Sequence, residues 1–280
     1  MDKIRTPNFS VILPGHCNSN CDFCFWSFKK SPSDWHSRLL DTIKSLPSEY
    51  TRCSISGGEP GMSPALDSAI DLINNARDWD AIILTTNGTG LLDHIDCLKG
   101  VDHINLSRHH FDERVNLEIF HPKSPLDTPR ESKLKRLCSE LNRMGIDVNI
   151  NCVLCNQFAN SNEILQFLNF VKSIGAQSVC FRQDQKLNST DMPKEMNGFI
   201  DHKAIESWSC PACKAVYQYL EGIKVSWKAA IAEPSVATKQ KYEIIYHQNG
   251  IATYDWAGTV PFLGKTTCIS PDVKKKKSQQ

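Results

Sequence analysis

The 280-residue chain has no apolar run approaching the roughly 20 residues that a membrane-spanning helix needs, and Met1–Pro7 lacks the apolar centre of an export signal. A membrane or secreted protein is therefore not expected. The reading is cytoplasmic: intracellular, or the host cytoplasm if the source is a virus. Strong charge of either sign is also missing, with 32 basic against 31 acidic residues. Four of the basic residues are the run Lys274–Lys277, so the rest of the chain carries 28 against 31. A mildly acidic body has no broad basic footprint for duplex nucleic acid, and charge gives no indication of DNA binding. The lysine run, followed by Ser278-Gln279-Gln280, reads as a disordered basic tail over 271–280. No internal repeat or long low-complexity linker appears, so one main domain with an appended piece is expected.

Cysteine, by contrast, is abundant, with twelve residues. Without an export signal a disulfide scaffold is not expected, and metal ligation is the natural alternative. Spacing then decides which cysteines matter.

Six short, mostly β-branched runs read as strands: Ser10–Leu13, Arg52–Ser56, Ala81–Thr85, His103–Ser107, Asp147–Leu154 and Ser178–Arg182. Helical patterns lie between them. Asp34–Leu46 stops before Pro47. A segment carrying Leu66, Ala69, Ile70 and Ile73 has Ser63 as its N-cap and Pro64 as its first helical residue. Pro129–Met144 ends at Gly145 and Ser161–Ile174 at Gly175. Such alternation implies right-handed βαβ units around a parallel sheet, either an open six-stranded barrel or a doubly wound sheet, with the chemistry at the C-terminal strand ends. Beyond about residue 190 the pattern changes. Met192–Asn197 reads as a loop, His202 towards Leu220 as a helix, and Tyr242–Tyr246 with Ile251–Trp256 as a hairpin turning at Asn249-Gly250.

The stretch Cys17-Asn18-Ser19-Asn20-Cys21-Asp22-Phe23-Cys24 directly follows the first strand. Three thiolates on a wrapping loop can each reach a different iron of a cubane cluster and leave the fourth iron open, whereas most electron-carrying clusters have four protein ligands. Competing readings are a zinc knuckle with His16 as fourth ligand, or incidental thiols. After the second strand comes Ser56-Gly57-Gly58-Glu59-Pro60. Its glycines permit close backbone approach, although a plain strand-ending turn has the same look.

The C-x3-C-x2-C spacing with an aromatic, Phe23, before its last cysteine, joined by GGEP one strand later, resembles the radical S-adenosylmethionine (SAM) superfamily. The resemblance spans roughly 8–185 and implies an α/β fold. A partial (β/α)6 radical SAM barrel would occupy 8–188, with a small C-terminal α+β extension of helix and β-hairpin over 189–270. It implies a 4Fe-4S cluster on Cys17, Cys21 and Cys24, with SAM bound at the open iron. One electron, from a donor such as flavodoxin or ferredoxin, would cleave SAM to methionine and a 5′-deoxyadenosyl radical that abstracts hydrogen from substrate. The implied SAM contacts are Phe23, Gly57, Gly58, Glu59 and Pro60, with Asn87 in Thr85-Thr86-Asn87-Gly88, Ser107, Arg108 and Arg182. For those at later strand ends, an ordinary polar strand-end residue is an equal reading. Glu59 would set a carboxylate near a positive group, Gln183 lies beside Arg182, and His109 and His110 are candidates for substrate contact.

Cys210-Pro211-Ala212-Cys213, with Cys268 downstream, could hold a second iron–sulfur cluster or zinc; free thiols explain the pair as well. Cys152 and Cys155 are alternative sources of a fourth ligand. Cys53, Cys97, Cys138 and Cys180 read as small core residues, and Cys155 as packing or as a hydrogen-atom donor. For function, the first reading is a radical SAM enzyme, an isomerase or oxidoreductase, acting on a small-molecule or nucleotide-type substrate. A version of it modifies hypermodified thymidine in phage DNA, on a loose likeness of Leu106–Phe120 to phage-encoded members. The alternatives are a peptide-modifying maturase with an auxiliary cluster, and a non-enzymatic metal or electron-transfer module.

Overall fold

The computed structural model describes residues 7–124, 128–184, 206–207, 215–220, 222–228 and 243–264, together with Met196. Six parallel strands follow one another: β1 (Asn8–Ile12), β2 (Arg52–Ser56), β3 (Ala81–Thr86), β4 (His103–Ser107), β5 (Asp147–Leu154) and β6 (Ser178–Gln183). Each pairs in parallel register with the next. A doubly wound sheet would reverse its strand order at a switch point. Here the order runs monotonically and does not close, which makes the architecture a partial (β/α) barrel.

Alternation along the strands decides what faces the helices. Phe9, Val11, Cys53, Ile55, Ile82, Leu84, Ile104, Leu106, Val148, Ile150, Val179 and Phe181 all join the buried apolar core. Against them pack α1 (Trp35–Ser45), α2 (Leu66–Ala76), α4 (Glu131–Arg143) and α5 (Ser161–Ser173), through residues at helical spacing such as Leu134, Leu137, Cys138 and Leu141. Residues of the other parity line the inner face and are mostly polar, with Ile12, Ile83 and Val153 among the exceptions. Asn105, Asn149, Asn151 and Ser178 are joined there by side-chain hydrogen bonds. An interior of this kind suits a polar ligand better than a packed plug.

Several expectations need correction. Helix α2 begins at Leu66, two residues beyond Pro64. Ser63 still accepts from the Ala65 N–H at 3.2 Å, and its hydroxyl donates to the Pro14 carbonyl, so this turn ties α2 to the loop after β1. The helix expected from His202 to Leu220 is absent from the described part of that span. Strands β7 (Glu206–Ser207) and β8 (Ala215–Leu220) stand there, β8 pairing antiparallel with β9 (Ile223–Lys228). The aromatic and β-branched content of Val216–Leu220 suits a strand, and the edge of β6 supplies β9 with parallel backbone partners. Helix α3 (Glu113–Phe120) was not read from the sequence at all, although Asp112 caps it by accepting from the Arg114 and Val115 N–H groups.

At the other edge β10 (Glu243–Tyr246) pairs parallel with β1 and turns back through Asn249-Gly250 into β11 (Ala252–Thr253). The C-terminal third thus extends both edges of the core sheet. We propose the division at 188/189 as a boundary in the sequence only. Among the described residues no helix is long and apolar enough to cross a membrane.

Candidate active site

The loop after β1 carries the cysteine triad and is held from two sides. Beneath it, the Leu13 N–H donates to the Ser56 carbonyl at 2.8 Å. Above it, the C-terminal end of α3 accepts the Asn20 N–H through the carbonyls of Phe120 (3.0 Å) and His121 (3.2 Å), while the Lys123 N–H donates to the Asn18 carbonyl at 2.8 Å. A local turn from the Cys24 N–H to the Cys21 carbonyl at 3.0 Å brings the last two thiols to one side. Backbone N–H groups of Ser19 and Trp26 donate to the sulfurs of Cys17 (3.4 Å) and Cys24 (3.3 Å). The Cys21 thiol donates to the Phe120 carbonyl at 3.6 Å.

Burial raises the Cys17 thiol, opposed by the Ser19 N–H and reinforced by the charges of Glu59 and Cys24. Cys21 is pushed up to about 12, by burial first and then by Cys24 and Cys17. Three thiolates are therefore costly together unless cationic iron replaces their protons. The donor set fits an iron–sulfur cluster on these grounds. Among the described residues no three His, Cys, Asp or Glu side chains converge closely enough for a single metal ion. The His16 ring instead stacks on Phe28 at 4.3 Å. A cubane has no need of a shared point, since it takes one thiolate per iron.

The GGEP turn is packed beneath this loop. A Cβ on Gly58 would stand 2.7 Å from the His16 carbonyl carbon and 2.8 Å from the Cys17 nitrogen, so only glycine fits. The Glu59 N–H donates back to the His16 carbonyl at 3.1 Å. The Glu59 side chain is buried and turned inward, accepting from the Gly61 N–H (3.0 Å), the Asn87 N–H (2.7 Å) and the Thr86 hydroxyl. The carboxylate thereby joins the ends of β2 and β3. Asn87 continues the link: its amide donates to Asn18 Oδ1 at 2.9 Å, and Asn18 in turn donates to Thr89 Oγ1 at 3.1 Å. Cluster loop, GGEP turn and TNG turn form one hydrogen-bonded unit.

Burial pushes the Glu59 carboxyl up to about 7 against the pull of its three donors. A carboxyl whose folded value lies above its ordinary 4.5 stabilises the fold most at low pH, and that stability drains as pH rises towards 7. Denaturant titrations of wild type should lose about 3 kcal/mol between pH 4.5 and 7 relative to Glu59→Gln, whose own curve carries no such slope. Parallel curves for the two proteins would show that the carboxyl does not titrate in this window.

Beyond β4 the parity of the strand separates two neighbouring residues. Ser107 lies on the inner face with Asn105, whereas Arg108 falls on the helix side and is 1 % exposed. Its guanidinium donates to the carbonyls of His110 (2.8 Å) and Phe111 (3.4 Å), pairs with Glu113 at 3.1 Å and covers the Phe170 ring at 5.0 Å. Arg108 is thus held as a buried structural cation between β4, α3 and α5. His109 and His110 are buried as well. His109 Nδ1 accepts from the Val153 N–H at 3.0 Å, and burial with Arg108 nearby pushes the ring down to about 3, so it is neutral. Its ring wedges between Phe23 (5.0 Å) and Phe120 (4.8 Å), so Phe23 packs on His109 at the rear of the cluster loop. His110 stacks on Phe111 and Phe158. Both histidines support the loop, and neither is presented to solvent.

Arg182 ends β6 on the inner face, and Gln183 is buried. Cys155 is exposed beyond β5, whereas Cys53, Cys138, Cys152 and Cys180 are buried. Cys97 is half-buried, and burial, reinforced by Asp67, pushes its thiol up. Cys210, Cys213 and Cys268, the lysine tail and, apart from Met196, the 192–197 loop lie outside the described residues.

Comparison with known proteins agrees with this geometry. The family model described as the Radical SAM superfamily matches residues 11–170. Among curated proteins, the GTP 3′,8-cyclase of Aquifex aeolicus is 26% identical over 186 residues, covering 62% of this chain and 56% of the relative. That of Aliarcobacter butzleri is 26% identical over 242 residues, covering 80% and 71%. The chain spans about half the length of several such relatives. Among solved structures, Streptococcus suis SuiB bound to its precursor peptide SuiA superposes with a TM-score of 0.64 at 13% identity, over 91% of this chain and 61% of that one.

Proposed function

Because the chain belongs to the radical SAM superfamily, we propose that it binds a 4Fe-4S cluster through Cys17, Cys21 and Cys24, cleaves SAM reductively there and abstracts hydrogen from a nucleotide-type small molecule. The observation that carries this reading is the loop after β1, whose three thiols, costly to ionise together, are braced by the GGEP turn and by α3. When bound, the cluster and SAM supply the reductive radical chemistry. The chain's own contribution is positional. Gly57 and Gly58 bring the β2 turn against the peptides of Leu13–Cys17, while Glu59 and Asn87 lock the neighbouring strand ends. Polar inner-face groups, Ser107 among them, are left to receive ligand.

A nucleotide-type substrate is favoured because the 26%-identical relatives are GTP 3′,8-cyclases. The likeness to SuiB concerns the fold and gives no ground for a peptide substrate. Residues 106–120 build the Arg108 network and the α3 clamp, which explains that stretch without a nucleoside-isomerase signature. An electron-transfer module is disfavoured, since a relay has no use for a SAM-binding turn. Anaerobically reconstituted protein with SAM and dithionite is expected to release 5′-deoxyadenosine. A stable iron–sulfur protein that leaves SAM intact would contradict the proposal.

A further inference from the structure

We propose that Arg182 and Lys228 form an oxyanion-binding pair on the inner face of the sheet, which takes a phosphate or carboxylate group of the substrate. The substrate assignment rests on the radical SAM reading; the anion site itself rests on strand register. Residue 182 of β6 is the direct partner of 228 in β9, and 182 is also the partner of Val153 in β5. Both cations share parity with inward-facing neighbours: Ser178 of β6 joins the asparagine row through Asn149, while Phe181, Val225 and Trp227 of the opposite parity lie in the core. Adjacent strands are about 4.8 Å apart, so the register sets two like charges side by side, an arrangement that is unfavourable without a counter-charge.

Among the described residues no salt bridge reaches either cation; the nearest carboxylate along β6 is Asp184, two residues beyond Arg182. Arg182 and Lys228 are half-buried. The contrast with Arg108 is informative, because that buried cation has Glu113 and two carbonyls. Beneath the pair, one residue row down, run Asn151, Cys180 and Ser226, which leaves the surroundings polar and uncharged.

The pair also lies at the correct end of the sheet. Val153, the β5 partner of Arg182, donates its N–H to His109 Nδ1 at 3.0 Å, and the His109 ring meets Phe23 of the cluster loop at 5.0 Å. The C-terminal ends of β5 and β6 therefore lie on the same side of the sheet as the cysteine loop. A guanidinium fork beside an ammonium matches the several oxygens of a phosphate or carboxylate.

The test uses the full-length, cluster-reconstituted protein with calorimetric titration of inorganic pyrophosphate, succinate and, separately, SAM. Pyrophosphate is expected to bind, with affinity reduced at least about tenfold in Arg182→Gln and in Lys228→Gln, and retained in Lys228→Arg. The same pattern with succinate alone would identify a carboxylate as the anion. Circular dichroism of each variant separates a lost site from a lost fold, and Lys228→Arg keeps the charge in place. Failure of wild type to bind either anion, or unaltered anion affinity in both glutamine variants, overturns the proposal. So does a loss confined to SAM affinity, which would hand the two cations to the cofactor. Because anion binding needs no turnover, it can succeed or fail independently of 5′-deoxyadenosine release.

Discussion

Replacing any one of Cys17, Cys21 or Cys24 by alanine is expected to reduce 5′-deoxyadenosine release to background and to strip most of the iron and sulfide from the reconstituted protein. The reason lies in the electrostatics of the loop. Burial and the two neighbouring thiols hold Cys21 near 12, so at neutral pH it remains a thiol unless iron takes the proton's place. Each thiolate gained by the cluster lowers the cost of the next only while the metal is present. With one ligand gone, the remaining two cannot anchor a cubane, and a second iron is opened to solvent. Serine variants should behave similarly, because a hydroxyl is a poorer iron ligand than a thiolate. Full iron occupancy in Cys21→Ala would mean that the cluster is held elsewhere in the chain.

The second large effect is expected at a residue with no side chain. Gly58→Ala would drive a methyl group to 2.7 Å from the His16 carbonyl carbon and 2.8 Å from the Cys17 nitrogen, both backbone atoms that cannot rotate aside. The loop must shift, at a cost of about 1–3 kcal/mol, and the shift falls on the peptide of the first cluster cysteine. Iron incorporation and SAM cleavage should both drop by about tenfold or more, since misplacement of about 1 Å in a positioned site can cost on the order of a hundredfold. Gly57→Ala is the matched control. Its nearest contact, the Leu13 carbonyl oxygen at 3.2 Å, is tight yet tolerable, and a milder defect is expected. Equal behaviour of the two variants would show that the close approach at Gly58 is not what positions the triad.

Much of the frame was readable because it depends on local pattern. Arg52–Ser56, His103–Ser107 and Asp147–Leu154 are strands with the boundaries expected from the sequence, since alternating burial imprints itself on short β-branched runs. The triad and GGEP were equally legible, being contiguous in sequence and placed directly after the strands that hold them. Other features were hidden for physical reasons. Only the parity of β4 puts Arg108 on the helix side, where Glu113 and Phe170 supply its partners. The partners of Glu59 were equally hidden, because its three donors come from its own turn and from the end of β3 and the residue after it. The Ala215–Leu220 strand was mistaken for a helix because short apolar runs do not declare their period, and pairing with β9 decided the matter.

The amino-acid order by itself determined the parallel βαβ repeat, the cysteine loop, and the glycines that let two turns approach it, since each arises from interactions within a few residues. Tertiary structure decided which strand ends meet, that α3 clamps the cluster loop, and that two cations from β6 and β9 stand in register as neighbours. Those outcomes depend on register between segments far apart in the chain, and register is set by hydrogen bonds and burial that exist only once the sheet has assembled.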